Sequence, residues 1–287
     1  SPGDVGPVIA EARSRGVAPL ITLSNFSAAA GTFTPELAHA VLSDTGVRDR
    51  TIENLLGFMR GSGLIGCNVD FENMLPEDRL LYNDFVRVIT DRLHAENFLS
   101  TLAVAPKPAD LPSLPWVGTF DYATLGGIVD WLVIMTYEWG WIGGPPLAIA
   151  PANRVREVLT YAVTQIPREK ILQGIPLYGY DWTLPDTPEN LAVHRTHQEA
   201  LRIAVARGAR IEYDPVAEAP VIRYTDETGA QHELWFEDAR SLLALFALNR
   251  EFGLQGISFW HLLEDWPAAW TVVRETFTVR KRRDLLR

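Results

Sequence analysis

Short apolar runs alternate along the chain with longer segments in which apolar residues recur every three or four positions. The runs predict buried strands and the longer segments predict amphipathic helices, because side chains alternate between faces on a strand and repeat every 3.6 residues on a helix. The predicted strands cover residues 19–24, 64–72, 98–105, 130–136, 170–176 and 256–260. The predicted helices cover residues 4–16, 35–43, 48–62, 76–94 and 152–165.

This alternation of strand and helix predicts an α/β protein with a parallel sheet and outer helices. A (β/α)8 TIM-type barrel fits best, although the recognised strands are fewer than the eight of a complete barrel. A doubly wound open sheet is the alternative, but no glycine-rich phosphate loop follows the first predicted strand.

The alternation breaks between residues 181 and 253. Residues 191–207 predict a helix. Short strands are predicted at 210–215, 220–225 and 232–236, and a helix is predicted at 241–252. The pattern predicts a small α+β insertion at 181–253, placed before the last strand of a barrel domain formed by 1–180 and 254–287. The insertion is equally compatible with a wall of a substrate groove and with a stabilising decoration.

Two carboxylates close the second predicted strand. Asn68, Asp70 and Glu72 alternate with apolar residues and share one face of the strand. Neighbouring acids repel each other, so one of them is expected to keep its proton near neutral pH, as a general acid must. The alternative is a solvated strand end with no chemistry.

Composition narrows the function classes. The chain has 287 residues, 47% of them hydrophobic, which is typical of a globular domain. Its net charge of −10 argues against nucleic acid and anionic membranes as partners but does not exclude a neutral sugar. The single cysteine, Cys67, excludes an intrachain disulfide and is expected to be a small buried residue. No signal peptide and no membrane span are recognised.

The segment ending in Asp70 and Glu72 resembles the active-site motif of glycoside hydrolase family 18, Asp-x-x-Asp-x-Asp-x-Glu. Glu72 takes the place of the catalytic acid and Asp70 that of the aspartate beside it. Asn68 replaces the middle aspartate, as is usual in the bacterial branch that includes the spore-cortex-lytic N-acetylglucosaminidases. Ile65 replaces the first aspartate, for which the resemblance implies a structural rather than a catalytic consequence.

Other motifs resemble the same family in the order of its strands. Met135-Thr136-Tyr137-Glu138 resembles the Met-x-Tyr-Asp signature of the sixth strand, with Glu138 in place of the aspartate. The following Trp139-Gly140-Trp141 is a candidate platform for sugar rings. Further resemblances imply pocket positions at the ends of the third, seventh and eighth strands for Asn25, Tyr178 and Trp260. The first two strands of the barrel would then lie upstream of Ser1, and a contact with another chain is one way to complete it.

The resemblance implies a glycosidase that acts on N-acetylglucosamine in peptidoglycan. Glu72 would be the general acid, Asp70 would support attack by the substrate's acetamido group, and Tyr137 would orient that group. The resemblance implies substrate-binding positions at Asn25, Asn68, Met135, Glu138, Trp139, Tyr178 and Trp260. It implies no cofactor and no metal, and a place in the cell envelope, in the spore or outside the cell.

Two alternatives remain open at this point. A chitinase would use the same mechanism on a different polymer. A catalytically silent, lectin-like protein would use the same fold, although such proteins usually lose one of the two acids that are present here. A zinc enzyme is not favoured, because His194 and His197 have no carboxylate at a suitable spacing.

Overall fold

A computed structural model describes residues 4–262, 266–281 and 283–286 of the chain. The chain divides into two compact units. The first consists of Ser1–Ile134, Thr164–Ile171 and Val279–Arg287, and the second consists of Met135–Val163 and Leu172–Thr278.

The first unit contains a parallel sheet with helices. Its elements in chain order are α1 (Gly6–Ser14), β1 (Leu20–Ser24), β2 (Phe26–Ser27), β3 (Thr32–Phe33), α2 (Pro35–Ser43), α3 (Thr45–Met59), β4 (Gly66–Asp70), α4 (Arg79–Ala95), β5 (Leu99–Val104), α5 (Tyr122–Ile128) and β6 (Trp131–Ile134). A short 3-10 helix, Pro76–Asp78, leads into α4, and another follows at Arg283–Leu286. Strands β1, β4, β5 and β6 pair in this order, all in parallel.

Helix periodicity predicted most of the buried face of this unit. Helix α3 buries Ile52, Leu55, Leu56 and Met59, the four apolar residues that the periodic pattern selects. Helix α4 buries Tyr82, Phe85, Ile89 and Leu93, as expected. Leu80, an apolar residue in the first turn of α4, is 76% exposed.

The second unit combines a parallel strand pair with an antiparallel sheet. The elements that lie wholly or mainly in it are α6 (Ala152–Gln165), β7 (Ile171–Pro176), β8 (Tyr178–Leu184), β9 (Val193–Thr196), α7 (His197–Arg207), β10 (Ile211–Asp214), β11 (Ala219–Thr225), β12 (Gln231–Trp235), α8 (Ala239–Phe252), β13 (Gly256–Trp260) and α9 (Pro267–Thr276). Strands β7 and β13 are parallel neighbours. The antiparallel sheet has the order β10-β11-β12-β8-β9.

The six predicted barrel strands are all present as β1, β4, β5, β6, β7 and β13. The predicted insertion does contain short strands, and a turn at Asp226 joins β11 to β12: the Asp226 carboxylate accepts hydrogen bonds from the N–H groups of Thr228 and Ala230. These bonds and the Thr228 hydroxyl lower the pKa of Asp226 to about 2.

The predicted helix at 191–207 is wrong in its first part. Residues Val193–Thr196 form β9, which pairs with β8, and α7 begins only at His197. The start of the helix is fixed by a capping box, in which Thr196 and Glu199 satisfy each other's backbone N–H groups. The division into a domain at 1–180 with 254–287 and an insertion at 181–253 stays a prediction.

Among the described residues, no helix is both long and apolar enough to cross a membrane. Cys67 is fully buried in β4, and burial raises the pKa of its thiol to about 12. Cys67 is therefore a packing residue, as the sequence predicted.

Candidate active site

The predicted site residues fall into two groups, one in each unit. Asn25, Asn68, Asp70 and Glu72 lie at the carboxyl ends of β1 and β4 in the first unit. The second unit holds Met135, Tyr137, Glu138, Trp139, Tyr178 and Trp260. The carboxyl ends of parallel strands are where α/β folds place their chemistry, so both groups lie where a site is expected.

Strand β4 shows the predicted alternation. Cys67 and Val69 are fully buried, whereas Asn68 and Asp70 are only partly buried on the opposite face. The Asn68 amide oxygen accepts a hydrogen bond of 2.9 Å from the hydroxyl of Thr101, which lies on the neighbouring strand β5. This bond fixes the amide of Asn68, which lies two residues before Asp70 on the same face of β4.

The Asp70 carboxyl group is desolvated without compensation. Its Oδ1 atom is buried and has no hydrogen-bond partner among the described residues. Burial raises the pKa of Asp70 above its usual value, because the charged form loses its hydration. The sequence predicted a proton-retaining carboxyl at this strand end from charge repulsion. For Asp70 the pKa is raised, but the cause is burial.

Aromatic packing supports the end of β4 from the opposite face. The ring of Phe71 stacks on Phe85 and Tyr82 of α4, with ring centroids 5.2 and 6.1 Å apart. Burial, and then the charges of Asp70 and Glu72, raise the pKa of the Tyr82 hydroxyl. The two acids therefore follow a strand end that is anchored in the core of the unit.

The main chain of Glu72 is held by the side chain of Asn25. The Asn25 Nδ2 atom donates to the Glu72 carbonyl at 2.8 Å, and the Glu72 N–H donates to Asn25 Oδ1 at 2.9 Å. Asn25 is 1% exposed and makes a further bond of 3.1 Å to the carbonyl of Thr34. Asn25 was expected to contact substrate, but its amide is buried and its two N–H groups are already donated to the main chain.

In the second unit, Glu138 forms a polar cluster with two tyrosines. Its Oε1 atom accepts hydrogen bonds from the hydroxyls of Tyr178 at 3.1 Å and Tyr180 at 3.2 Å. Burial, followed by the charge of Glu138, raises the pKa of both tyrosines. Glu138 has a φ of 65°, in the left-handed region, which non-glycine residues adopt mainly at special positions.

The residues around Glu138 differ in their exposure. Met135 is buried, and Tyr137 and Trp139 are half-buried against the core of the unit. Trp141, by contrast, is 47% exposed. A Cβ atom on Gly143 would lie 2.6 Å from Cζ3 of Trp141, and one on Gly144 would clash with its Nε1 atom. The indole of Trp141 therefore lies against a glycine turn and leaves a large part of its surface accessible.

Trp260 is the last residue of β13 and is 50% exposed. The next residue, His261, belongs to a stack of near-parallel rings with Tyr178 and His194, with ring centroids 5.4 to 6.3 Å apart. The sequence reasoning missed Tyr180 and this stack. The alternation of Tyr178 and Tyr180 on one strand was a signal for the former, whereas the pairing of β9 with β8 that brings in His194 had no sequence signal.

No group of three or more His, Cys, Asp and Glu side chains suited to a metal ion occurs in the part of the chain that the structure describes. The polar groups of both clusters are carboxylates, amides and phenols. Such groups can exchange protons and form hydrogen bonds with a sugar and its substituents.

Sequence comparison places the chain among known glycosidases. Residues 31–265 match the profile of the glycosyl hydrolases family 18. The chain is 42% identical over 251 residues to the "Cortical fragment-lytic enzyme" of Bacillus subtilis (strain 168), covering 87% of this chain and 58% of the relative. It is 25% identical over 229 residues to the "Di-N-acetylchitobiase" of Rattus norvegicus, covering 68% of this chain and 60% of the relative.

Solved structures agree with this placement. The spore cortex-lytic enzyme SleL of Bacillus megaterium QM B1551 matches with a TM-score of 0.92 and 36% identity, covering 98% of this chain and 65% of that one. A chitinase from Chromobacterium violaceum ATCC 12472 matches with a TM-score of 0.88 and 28% identity, covering 98% and 86% of the two chains. These matches confirm the predicted fold class, an α/β barrel of the TIM type.

The chain spans about three fifths of the length of the curated cortex-lytic relatives, 58% of one and 61% of another. The family profile nevertheless includes the acidic end of β4, the Glu138 cluster and Trp260. The chain belongs to the glycosyl hydrolases of family 18.

Proposed function

We propose that this chain is a glycoside hydrolase that cleaves β-1,4 linkages at N-acetylglucosamine in peptidoglycan. Cleavage would retain the configuration of the sugar through assistance by the substrate's own acetamido group. Membership in family 18 supports the mechanism, because this family departs from the usual pair of catalytic carboxylates in using substrate assistance. The names of the relatives in Bacillus, which describe lysis of the spore cortex, support peptidoglycan as the polymer.

The observation that carries the proposal is the buried Oδ1 atom of Asp70, which has no hydrogen-bond partner among the described residues. A buried carboxyl oxygen without a donor is costly, and a bound acetamido N–H would supply the donor it lacks. Asp70 would thereby orient the acetamido oxygen towards the anomeric carbon. It would also stabilise the positive charge that develops on the acetamido group as the oxazolinium intermediate forms.

Glu72 would act first as acid and then as base. It would protonate the glycosidic oxygen while the acetamido oxygen bonds to the anomeric carbon and the bond to the leaving sugar breaks. It would then take a proton from water as that water opens the intermediate. Tyr137 would hydrogen-bond to the acetamido carbonyl, and the proton returned to Glu72 restores the starting state.

The remaining predicted residues would shape the sugar site. We propose that Glu138, held by Tyr178 and Tyr180, accepts hydrogen bonds from sugar hydroxyls, and that Trp260 lies under the reactive sugar. Asn68, Met135 and Trp139 would support the pocket. We further propose that the protein acts at the cell envelope or in the spore, where its relatives' polymer is found.

Digestion of purified polymers tests the proposal. Wild type and Glu72→Gln are incubated with spore-cortex peptidoglycan and with chitin oligomers, and the products are identified by mass spectrometry. The wild type should release fragments with reducing-end N-acetylglucosamine, and the variant should be slower by on the order of 10²-fold or more. Glu77→Gln, which changes an exposed glutamate five residues further on, is the matched control and should behave as wild type.

The chitinase alternative rests on the match to the Chromobacterium chitinase and to the chitobiase. It predicts faster cleavage of chitin oligomers than of cortex in the same experiment. Unchanged turnover in Glu72→Gln would contradict the role of Glu72 as general acid, and with it both the peptidoglycan hydrolase and the chitinase. Absence of product from wild type on every substrate would favour the lectin-like alternative.

A further inference from the structure

The side chain of Asn25 takes the place of a strand partner for Glu72. The pairing of β1 with β4 ends at Ser24 and Asp70. One residue later on β1 and two later on β4, the Asn25 amide bonds to both the N–H and the C=O group of Glu72, at 2.9 and 2.8 Å. A side-chain amide has one acceptor and two donors, so the two bonds to Glu72 leave one N–H group. That group bonds to the carbonyl of Thr34 at 3.1 Å.

Thr34 extends the link to the next helix. Its N–H donates to the main-chain carbonyl of Asn25 at 3.2 Å, and it is the residue immediately before α2. Asn25 thus connects the end of β1, the start of α2 and the main chain of Glu72. A residue beyond the end of a strand has no ladder partner to fix it, and here a buried amide supplies one.

We propose that Asn25 is a positioning residue, which holds the Glu72 carboxyl group where it can protonate the leaving oxygen. The inference rests on the proposed function, because it takes Glu72 as the general acid. Small displacements of a catalytic group cost large factors in rate, so the main chain beneath such a group must be held tightly. Asn25 does not act on the sugar itself, since its amide is 1% exposed and its donors are used.

The residue type matters at this position. The substitution Asn25→Asp would keep the shape and the acceptor for the Glu72 N–H but would lose both donors. The substitution Asn25→Ala would lose all three bonds. Both variants should be impaired relative to wild type, and Asn25→Asp should be the less stable of the two, because it sets a buried carboxylate against the carbonyl oxygens of Glu72 and Thr34.

The test compares two leaving groups. A sugar is a poor leaving group and needs protonation, whereas 2,4-dinitrophenolate leaves readily without an acid. The substrates are an N-acetylglucosamine oligomer and the 2,4-dinitrophenyl glycoside of di-N-acetylchitobiose. With Asn25→Ala, kcat on the oligomer should fall about 10- to 100-fold with KM within about threefold of wild type, and kcat on the dinitrophenyl substrate should fall less than about threefold.

Asn83→Ala is the matched control. Asn83 is another buried asparagine of the same unit, on α4, and its side-chain amide makes a long hydrogen bond of 3.5 Å to Asp121. This control should keep the wild-type ratio of the two rates when assayed below its melting temperature. Should Asn25→Ala fail to fold, Asn25→Ser, which introduces no charge and whose single hydroxyl cannot replace all three hydrogen bonds, carries the same comparison, with rates normalised to the folded fraction.

Equal losses on both substrates, or no loss on either, would overturn the inference. The same assay also tests the proposed function. If Glu72 is the general acid, Glu72→Gln must show leaving-group dependence, that is, a large loss of kcat on the oligomer and a much smaller loss on the dinitrophenyl substrate. If wild type cleaves neither substrate, or Glu72→Gln lacks that dependence, the proposed function fails. If Glu72→Gln shows the dependence and the Asn25 variants do not, only the positioning role fails.

Discussion

Asp181 and Asp70 both lie on strands and bury carboxyl oxygens, but they differ in the hydrogen-bond donors around those oxygens. Asp181 on β8 is 1% exposed and accepts hydrogen bonds from Tyr224 at 2.8 Å, His232 at 3.1 Å and Arg195 at 3.2 Å. Asp70 ends β4 with a buried Oδ1 atom that no described residue contacts as a donor. Each acid lies in a different unit of the chain.

The difference separates structural acids from reactive ones. Hydrogen bonds from Tyr224, His232 and Arg195 replace the hydration that Asp181 loses, so its carboxyl group is a structural part of the antiparallel sheet. Asp70 loses hydration without replacement, and the protein bears that cost, since a buried polar atom without a partner destabilises the fold. A bound ligand can offset this cost by supplying the missing hydrogen-bond donor. From this comparison we expect Asp181 to contribute to folding, and it supports the proposal that Asp70 takes part in the chemistry.

Asp70→Asn gives the largest expected effect and separates the two roles. The amide cannot stabilise the positive charge on the acetamido group, so kcat should fall by on the order of 10²-fold. The free energy of unfolding should stay equal or rise slightly, because the variant no longer buries a titratable carboxyl. Steady-state kinetics and chemical denaturation of the same preparation measure both quantities. Loss of stability together with activity would place Asp70 with Asp181.

Glu237 is a third buried acid. It tests whether a lack of hydrogen-bond donors distinguishes reactive acids from structural ones. It precedes α8, and burial raises its pKa to about 8, with both carboxyl oxygens lacking hydrogen bonds of good geometry among the described residues. Ser241 and the Ala150 N–H lower this pKa, but by less than burial raises it. Because the folded protein holds this proton more tightly than the unfolded chain, the contribution of Glu237 to stability should be greatest below pH 4.5 and should decline as the pH rises to about 8.

Glu237→Gln should remove that dependence on pH. The variant should be more stable than wild type above pH 8, by on the order of a few kcal/mol, and equally stable below pH 4.5. Denaturant unfolding at a series of pH values measures the effect. Its kcat at pH 6 should match wild type, because Glu237 is not one of the predicted site residues. A loss of activity there would show that a buried acid outside the predicted site also takes part in function.

Asp181→Asn tests the structural side of the comparison. The neutral amide keeps the shape but loses the charge-assisted bond to Arg195 and places an N–H group among donors, so the free energy of unfolding should fall by about 1–3 kcal/mol. Activity below the melting temperature should stay within about twofold of wild type. Glu212→Gln, a charge removal on an exposed pair with Arg223, is the matched control and should change stability by less than about 1 kcal/mol. Equal effects of the two substitutions would remove the distinction between buried and exposed acids.

The sequence predicted the strands, most helices and the acidic strand end, because each rests on local periodicity. The alternation that buries Cys67 and Val69 and places the partly buried Asn68 and Asp70 on the opposite face needs only the strand itself. The role of Asn25 was not predictable, because its bonds to Glu72 join residues 47 positions apart. The strand β9 was missed for the same reason: its pairing with β8 is a long-range contact that overrides the local helical pattern.

Trp141 extends the comparison from acids to aromatic residues and gives the smallest expected effect. Trp182 is the structural counterpart, fully buried with its Nε1 atom bonded to the Gly144 carbonyl at 2.7 Å, whereas Trp141 lies on the same glycine turn and is 47% exposed. An exposed, fixed indole can stack on a sugar face, which contributes about 1 kcal/mol.

Trp141→Ala should therefore raise KM for long oligomers about three- to tenfold, leave kcat nearly unchanged and have a smaller effect on the shortest cleavable oligomer. Trp116→Ala, which removes a tryptophan that is 37% exposed in the other unit, is the control and should leave KM unchanged. Equal KM values for Trp141→Ala and wild type at every oligomer length would show that the exposed indole of Trp141 does not bind the sugar chain.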